Sequence, residues 1–233
     1  MIWILLAAIV ITAFTLTGAF YARKFNKPDL LIALYVLFTT LSQIMASKIA
    51  LYDFGFFQVV APAAVLVFAV TFLITDIVNE KFGQREVHKM ILLTFVTQVA
   101  MIVFLYIGGQ LTPAPFWTNQ SAWDMLLGVV PRITFASWIT FLISENLDAW
   151  LFAKFRQLTK GKHLWARNVF SSIPALTIDT LVFVTLAFAG TGIPLWEIMK
   201  GQFAAKYLVA ILCIPFMYLN KAILGNENKE AEV

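Results

Sequence analysis

The chain has 233 residues, 61% of them hydrophobic and only 13% charged, and its mean hydropathy is +0.82. A soluble globular domain carries roughly 25% charged and 45–50% apolar residues, so a protein of that class is excluded. The net charge of +4 sits in the connections between apolar runs, which points to a lipid surface and away from nucleic acid.

A spanning helix needs about 20 mostly apolar residues. Seven apolar segments approach that length, at 2–22, 29–52, 59–80, 88–109, 131–154, 168–190 and 204–223. They predict an all-α fold, a polytopic bundle of about seven spanning helices in a single transmembrane domain over 1–233. Within it, 2–22 is an extra N-terminal helix, 29–223 holds the main body of helices, and 224–233 is a polar tail. The first segment has no basic residue before its apolar run. Arg23, Lys24 and Lys27 follow it instead, the reverse of a secretory leader. Pro131 suits the first turn of the fifth segment, where its missing N–H costs nothing.

Lys and Arg in the connections set the orientation. The first, third and fifth connections are basic, with Lys81, Arg85 and Lys89 in the third and Lys154, Arg156, Lys160, Lys162 and Arg167 in the fifth. The second and fourth have none, and the sixth has only Lys200. The alternation predicts an outer N-terminus, an inner C-terminus and a multi-pass protein of the plasma or inner membrane. Trp117 and Trp123 in the fourth connection and Trp196 in the sixth read as interfacial anchors, on short helices at the surface or folded into a mouth.

Charges inside such segments are informative, because each costs about 2.5–3.5 kcal/mol at a helix centre on insertion scales. Asp179 lies about 11 residues into the sixth segment, near the midplane. Glu145 lies about two-thirds through the fifth, while Asp76, Glu80 and Asp148 lie toward inner ends. Arg132 and Lys206 open the fifth and seventh segments, and Lys48 ends the second. Ser137, Phe141, Glu145 and Asp148 share one helical face, Asp76 and Glu80 share another with Phe72, and Asn168, Ser172 and Asp179 form a third stripe. Three polar stripes are best accommodated around a common cavity. Arg132, Lys206 and Lys48 also fit snorkelling at helix ends, and the inner acids also fit ion pairs with Arg85, Lys89 or Arg167. Glu145 and Asp179 fit a structural ion pair or a ligand or proton site. Pro174, five residues before Asp179, predicts a freed carbonyl at Phe170 and a kink beside the acid.

The chemistry of an intramembrane enzyme is poorly represented. His88 and His163 both fall in connections, so no buried metal pair is expected, and Cys213 is a lone core cysteine. There is no HExxH, GxSxG or P-loop. An aspartyl dyad of Asp179 with Asp148 or Asp76 is the remaining enzymatic option. No catalytic residue, cofactor or metal is expected, and a homo-oligomer is compatible with the sequence.

Four strings carry a family resemblance. TDIVNEKFG, from Thr75 to Gly83 and including Asp76 and Asn79, resembles the end of the third helix in the queuosine precursor transporter family, earlier grouped with vitamin uptake transporters. RITFASWITFLISENLDAWLFAKFR, from Arg132, is similar to that family's Arg…Ala-Ser…Asp helix. WARNVFSSIPALTIDTLVFVTLAFAG, from Trp165, resembles its Arg…Ser…Asp-Thr…Phe helix, and Lys206 stands where the family opens its last helix with lysine. The resemblance implies import of 7-cyano-7-deazaguanine, 7-aminomethyl-7-deazaguanine or a related queuine compound for tRNA modification. Such a ligand would place its guanine-like N–H groups on Glu145 or Asp179 and its ring on Phe141, Phe183 or Trp138. Arg132 and Lys206 would shape the mouth, with Asp148, Asp76, Asn79 and Ser137 nearby. Without a nucleotide-binding motif, transport is facilitated, ion-coupled or driven by a separate partner. The alternative is another vitamin or nucleobase importer, a binding subunit served by a separate ATPase.

Overall fold

The computed structural model describes residues 2–53, 55, 57–158 and 164–208. They form α1 (Ile2–Phe25), α2 (Asp29–Met45), a hairpin of β1 (Ile49–Asp53) and β2 (Gln58–Pro62), then α3 (Val65–Phe82), α4 (Gln84–Gln110), α5 (Gln120–Leu127), α6 (Val130–Leu158) and α7 (Leu164–Phe188). Residues 195–208 are helical and are called α8 here. The first six apolar segments thus coincide with α1, α2, α3, α4, α6 and α7. Among the described residues three stretches are long and apolar enough to cross a membrane: Gln84–Gln110, Gln120–Asp148 and Val169–Phe188.

Two departures from the all-α expectation have clear physical causes. Segments 29–52 and 59–80 were each expected to be helical throughout, but α2 ends at Met45 and α3 begins at Val65. Between them Ala46 and Ser47 form a turn, closed by the Ser47 amide and hydroxyl on the carbonyl of Ile44. The β-branched and aromatic content of Ile49–Asp53 and Gln58–Pro62 then favours a ladder, with Leu51 opposite Val60 and Asp53 opposite Gln58. Asp53 shapes the tip, its Oδ1 accepting the Gly55 amide at 2.7 Å and its Oδ2 the Gln58 amide at 3.2 Å. Gly55 takes a φ of +89°, which few other residues tolerate.

The second departure concerns the last segment. Helix was expected from 204, but α8 begins at 195, so Trp196 lies in its first turn. From residue 209 onward, including Cys213, Pro215 and the polar tail, the chain lies outside the described residues. In the fourth connection Trp123 sits on α5, and its indole packs over Gly108 at the end of α4. α7 passes through Pro174 as one continuous helix.

The helices pack as two groups. Leu31, Tyr35 and Phe38 of α2 interlock with Ile74, Ile77 and Val78 of α3 and Met90 of α4. Ile133 and Ala136 of α6 pack with Val184 and Phe188 of α7 and Ile198 of α8. α4 buries one narrow stripe, Val87, Met90, Thr94 and Gln98, while Leu92, Val96, Val103 and Phe104 point outward. That is the pattern of a helix whose outer face meets lipid rather than water.

The hairpin bridges the groups. Ala61, Val65 and Ala205 bury against Tyr52, whose hydroxyl donates to the carbonyl of Pro62 at 3.1 Å. The approach of β2 to α8 is so close that a Cβ at Gly201 would lie 1.8 Å from the Val60 carbonyl oxygen.

Gly201→Ala is therefore expected to push β2 off α8 and to destabilise the protein by about 1–3 kcal/mol, as overpacking does. A lowered melting temperature in detergent checks it, and an unchanged one contradicts the contact. A milder expectation concerns Asp53, whose carboxyl the Gly55 amide and then Gln58 hold below the usual range. Its stabilising contribution is present above the unfolded carboxylate pKa of about 3.9 and is lost as pH falls through the lower folded value. The stability gap between wild type and Asp53→Ala should narrow as the pH is lowered below about 4.

A buried ion pair beside a six-element cavity

Asp179 on α7 and Lys206 on α8 are both buried, each about 4% exposed. Lys206 Nζ lies 2.5 Å from Asp179 Oδ2, forming the one buried salt bridge among the described residues. The pair is held by its surroundings. Ser144 of α6 donates to Asp179 Oδ1 at 3.3 Å, and Lys206 reaches Thr180 Oγ1 at 3.4 Å. The ammonium also lies 5.9 Å from the centre of the Phe68 ring on α3, within cation–π range. Four elements thus converge on one charge pair. That convergence suits ions kept from water, whose attraction offsets desolvation only when other hydrogen bonds complete their shells.

A cavity of about 420 Å³, counted with the part open to solvent, adjoins the pair. α2 contributes Ser42, Gln43 and Ala46, and the end of β2 with the start of α3 contributes Pro62, Val65 and Phe68. α6 adds Ser137 and Thr140 one turn apart, and α7 adds Phe183 one turn above Asp179. Gln202 and Lys206 close it from α8. Gln43 Nε2 donates to Ser137 Oγ at 3.1 Å, joining α2 to α6 across the wall.

Of the residues expected at the site, the structure gathers Asp179, Lys206, Ser137 and Phe183 around this cavity. Others stand elsewhere. Arg132 donates from Nε to the Leu186 carbonyl at 3.0 Å and from Nη2 to that of Ala189 at 2.5 Å. It caps the C-terminal end of α7, where a cation meets the negative end of the helix. Asp148 faces Ser171 and Ser172 of α7, and its Oδ1 has no partner. Asn79 is exposed on α3, and Phe141 lies outside the lining. Trp138 donates its indole N–H to Gln98 at 2.5 Å and packs on Phe95, bracing α4 against α6. The side chains of Glu145, Asp76 and Asn168 lie outside the described residues.

Sequence reasoning passed over Gln43, Thr140, Gln202 and Phe68. Ser42-Gln43 is a polar pair in an otherwise apolar stretch, a signal that was available. Gln202 looked like part of a connection because the helix was placed too late.

Neutralising Lys206 alone strands a buried carboxylate. Lys206→Met is expected to cost about 3–5 kcal/mol, and adding Asp179→Leu should recover much of it. Melting temperatures of the two single variants and the double variant check this, and strictly additive losses would contradict the pairing.

Residues 62–220 match the family model described as "Putative vitamin uptake transporter". The chain is also 26% identical over 178 residues to a "Probable queuosine precursor transporter" of Bacillus subtilis (strain 168), covering 75% of this chain and 78% of that protein. No solved structure matches it. The family match spans α3 through α8 and so takes in both partners of the buried pair, and on that evidence the chain belongs to the vitamin uptake transporter family that includes queuosine precursor transporters.

Proposed function

We propose that this protein imports a queuosine precursor, 7-cyano-7-deazaguanine, 7-aminomethyl-7-deazaguanine or a related 7-deazaguanine, for tRNA modification. The observation that carries this reading is the cavity beside Asp179 and Lys206, lined by six separate elements of the chain. A flat bicyclic base needs an apolar wall and a few polar groups on one side. Phe68 and Phe183 offer the first, and Ser137, Gln43 and the ion pair offer the second. The named relative in Bacillus supports the same substrate class.

Transport then requires the cavity to open to each side in turn. α8 is suited to such a change, because it meets the hairpin through backbone at Gly201 and meets α7 through the ion pair. Seven spans with an outer N-terminus and an inner C-terminus complete the proposal, which places the chain in the plasma or inner membrane.

Cells expressing the chain should accumulate labelled 7-cyano-7-deazaguanine above vector controls. Phe183→Ala should lower that uptake by about tenfold or more, the size of effect that losing about 1.4 kcal/mol of binding produces. Asn79→Ala, exposed and away from the cavity, should leave it near wild type. No accumulation above vector by the wild-type chain would defeat the assignment. For the topology, in a Cys213→Ser background a thiol reagent that cannot cross the membrane should label a cysteine placed at the N-terminus and spare one placed at the C-terminus, and the opposite pattern would reverse the orientation.

A further inference from the structure

The polar groups of the cavity divide sharply by whether the protein already satisfies them. Asp179 has Lys206 on one oxygen and Ser144 on the other, so the charges are answered internally. Three neutral groups of the lining keep hydrogen-bonding capacity to spare among the described residues. Thr140 is 1% exposed, and its Oγ1 has no hydrogen-bond partner. That sets it apart from the other buried threonines of the chain, Thr15, Thr39, Thr71, Thr94, Thr134 and Thr180, which all donate to a carbonyl one turn back. Gln202 is 3% exposed and makes no side-chain hydrogen bond among the described residues. Gln43 uses one end of its amide on Ser137 and leaves the other end unused.

A buried polar atom without a partner is rare in native proteins, so Thr140 Oγ1 calls for a partner from outside the chain, and the two glutamines line the same cavity beside it. These three offer a neutral set containing both donors and acceptors. A carboxamide and a hydroxyl together match an edge that carries an N–H beside a C=O, as carboxamides do when they read base edges in pairs of hydrogen bonds.

We infer that Gln202, Thr140 and Gln43 are the specificity-determining residues, and that they read the lactam edge of the base, its N1–H and C6 carbonyl, while the Asp179–Lys206 pair stays closed. The inference rests on the import reading above and deepens it. It moves recognition from the carboxylates to neutral groups on α2, α6 and α8.

The test uses the full chain purified in detergent and two ligands, 7-cyano-7-deazaguanine and 2-amino-7-cyano-7-deazapurine. The second has hydrogen at C6, so it lacks both the carbonyl and the N1–H. Wild type should bind the first at least tenfold more tightly, because a site built to hydrogen-bond a group rejects the analogue without it. Gln202→Leu and Thr140→Val should each shrink that ratio toward one by weakening the first ligand alone, and Thr140→Ser, which keeps a hydroxyl, should restore it. An unchanged ratio in Thr140→Val and Gln202→Leu proteins that melt within a few degrees of wild type overturns the inference while leaving the import reading intact. Wild-type protein that binds neither ligand overturns both. Should Gln202→Leu fail to fold, Gln202→Asn, which withdraws the amide by one carbon, serves in its place with the same expected loss of ratio.

Discussion

Two opposite charges held away from water at Asp179 and Lys206 constrain much of this architecture. Neither could stand alone inside an apolar bundle, so the helices that carry them must stay close. The pair also needs Ser144 from α6 and the Phe68 ring from α3, which fixes the relative placement of four elements. Such a pair adds little net stability compared with well-packed apolar residues, yet removing one partner is strongly destabilising. Its value is therefore positional. It holds α7 and α8 in register and leaves beside them a space bounded by polar faces that could not be turned to lipid.

The hairpin follows from the same demand. Backbone that is not helical is tolerated at membrane depth only where its amides and carbonyls are paired or meet a cavity. The ladder from Ile49 to Pro62 pairs its own groups, and Lys48 and Ala63 add one more bond at its base. By ending α2 at Met45 the chain brings Ser42 and Gln43 to the cavity wall and lets Pro62 close another side. Gly201 permits this because no side chain stands between α8 and the Val60 carbonyl. The cavity is thus bounded by helix, turn and strand together, a mixed wall that a pure bundle of straight helices would not supply.

Several charged or aromatic residues that stand out in the sequence have structural work to do. Arg132 satisfies carbonyls at the end of α7, and Trp138 with Gln98 links α4 to α6. An intramembrane polar residue is a reasonable functional candidate, but helix ends also leave carbonyls that need donors. In this chain the residues that surround the cavity include quieter ones, two glutamines and a threonine, which carry no charge to draw attention.

What the sequence determined by itself was the helical character of six apolar segments and the burial of Asp179, because both follow from local properties. About 20 apolar residues in a row suffice to mark a helix, and the depth of Asp179 along its segment follows from a fixed rise per residue. The family resemblance was local in the same sense, carried by short strings on α3, α6, α7 and α8. Tertiary structure alone decided which of those charges meet. Lys206 and Asp179 are 27 positions apart, and until α7 and α8 are packed Lys206 fits snorkelling as well as a site, and Asp179 a structural ion pair as well as a site. It also decided that Ile49–Asp53 and Gln58–Pro62 form a ladder, since apolar β-branched runs read as helix or strand until a partner strand is present. Thr140 was silent for the same reason. A threonine in a helix normally turns back on its own backbone, and only the packed structure reveals that this one does not.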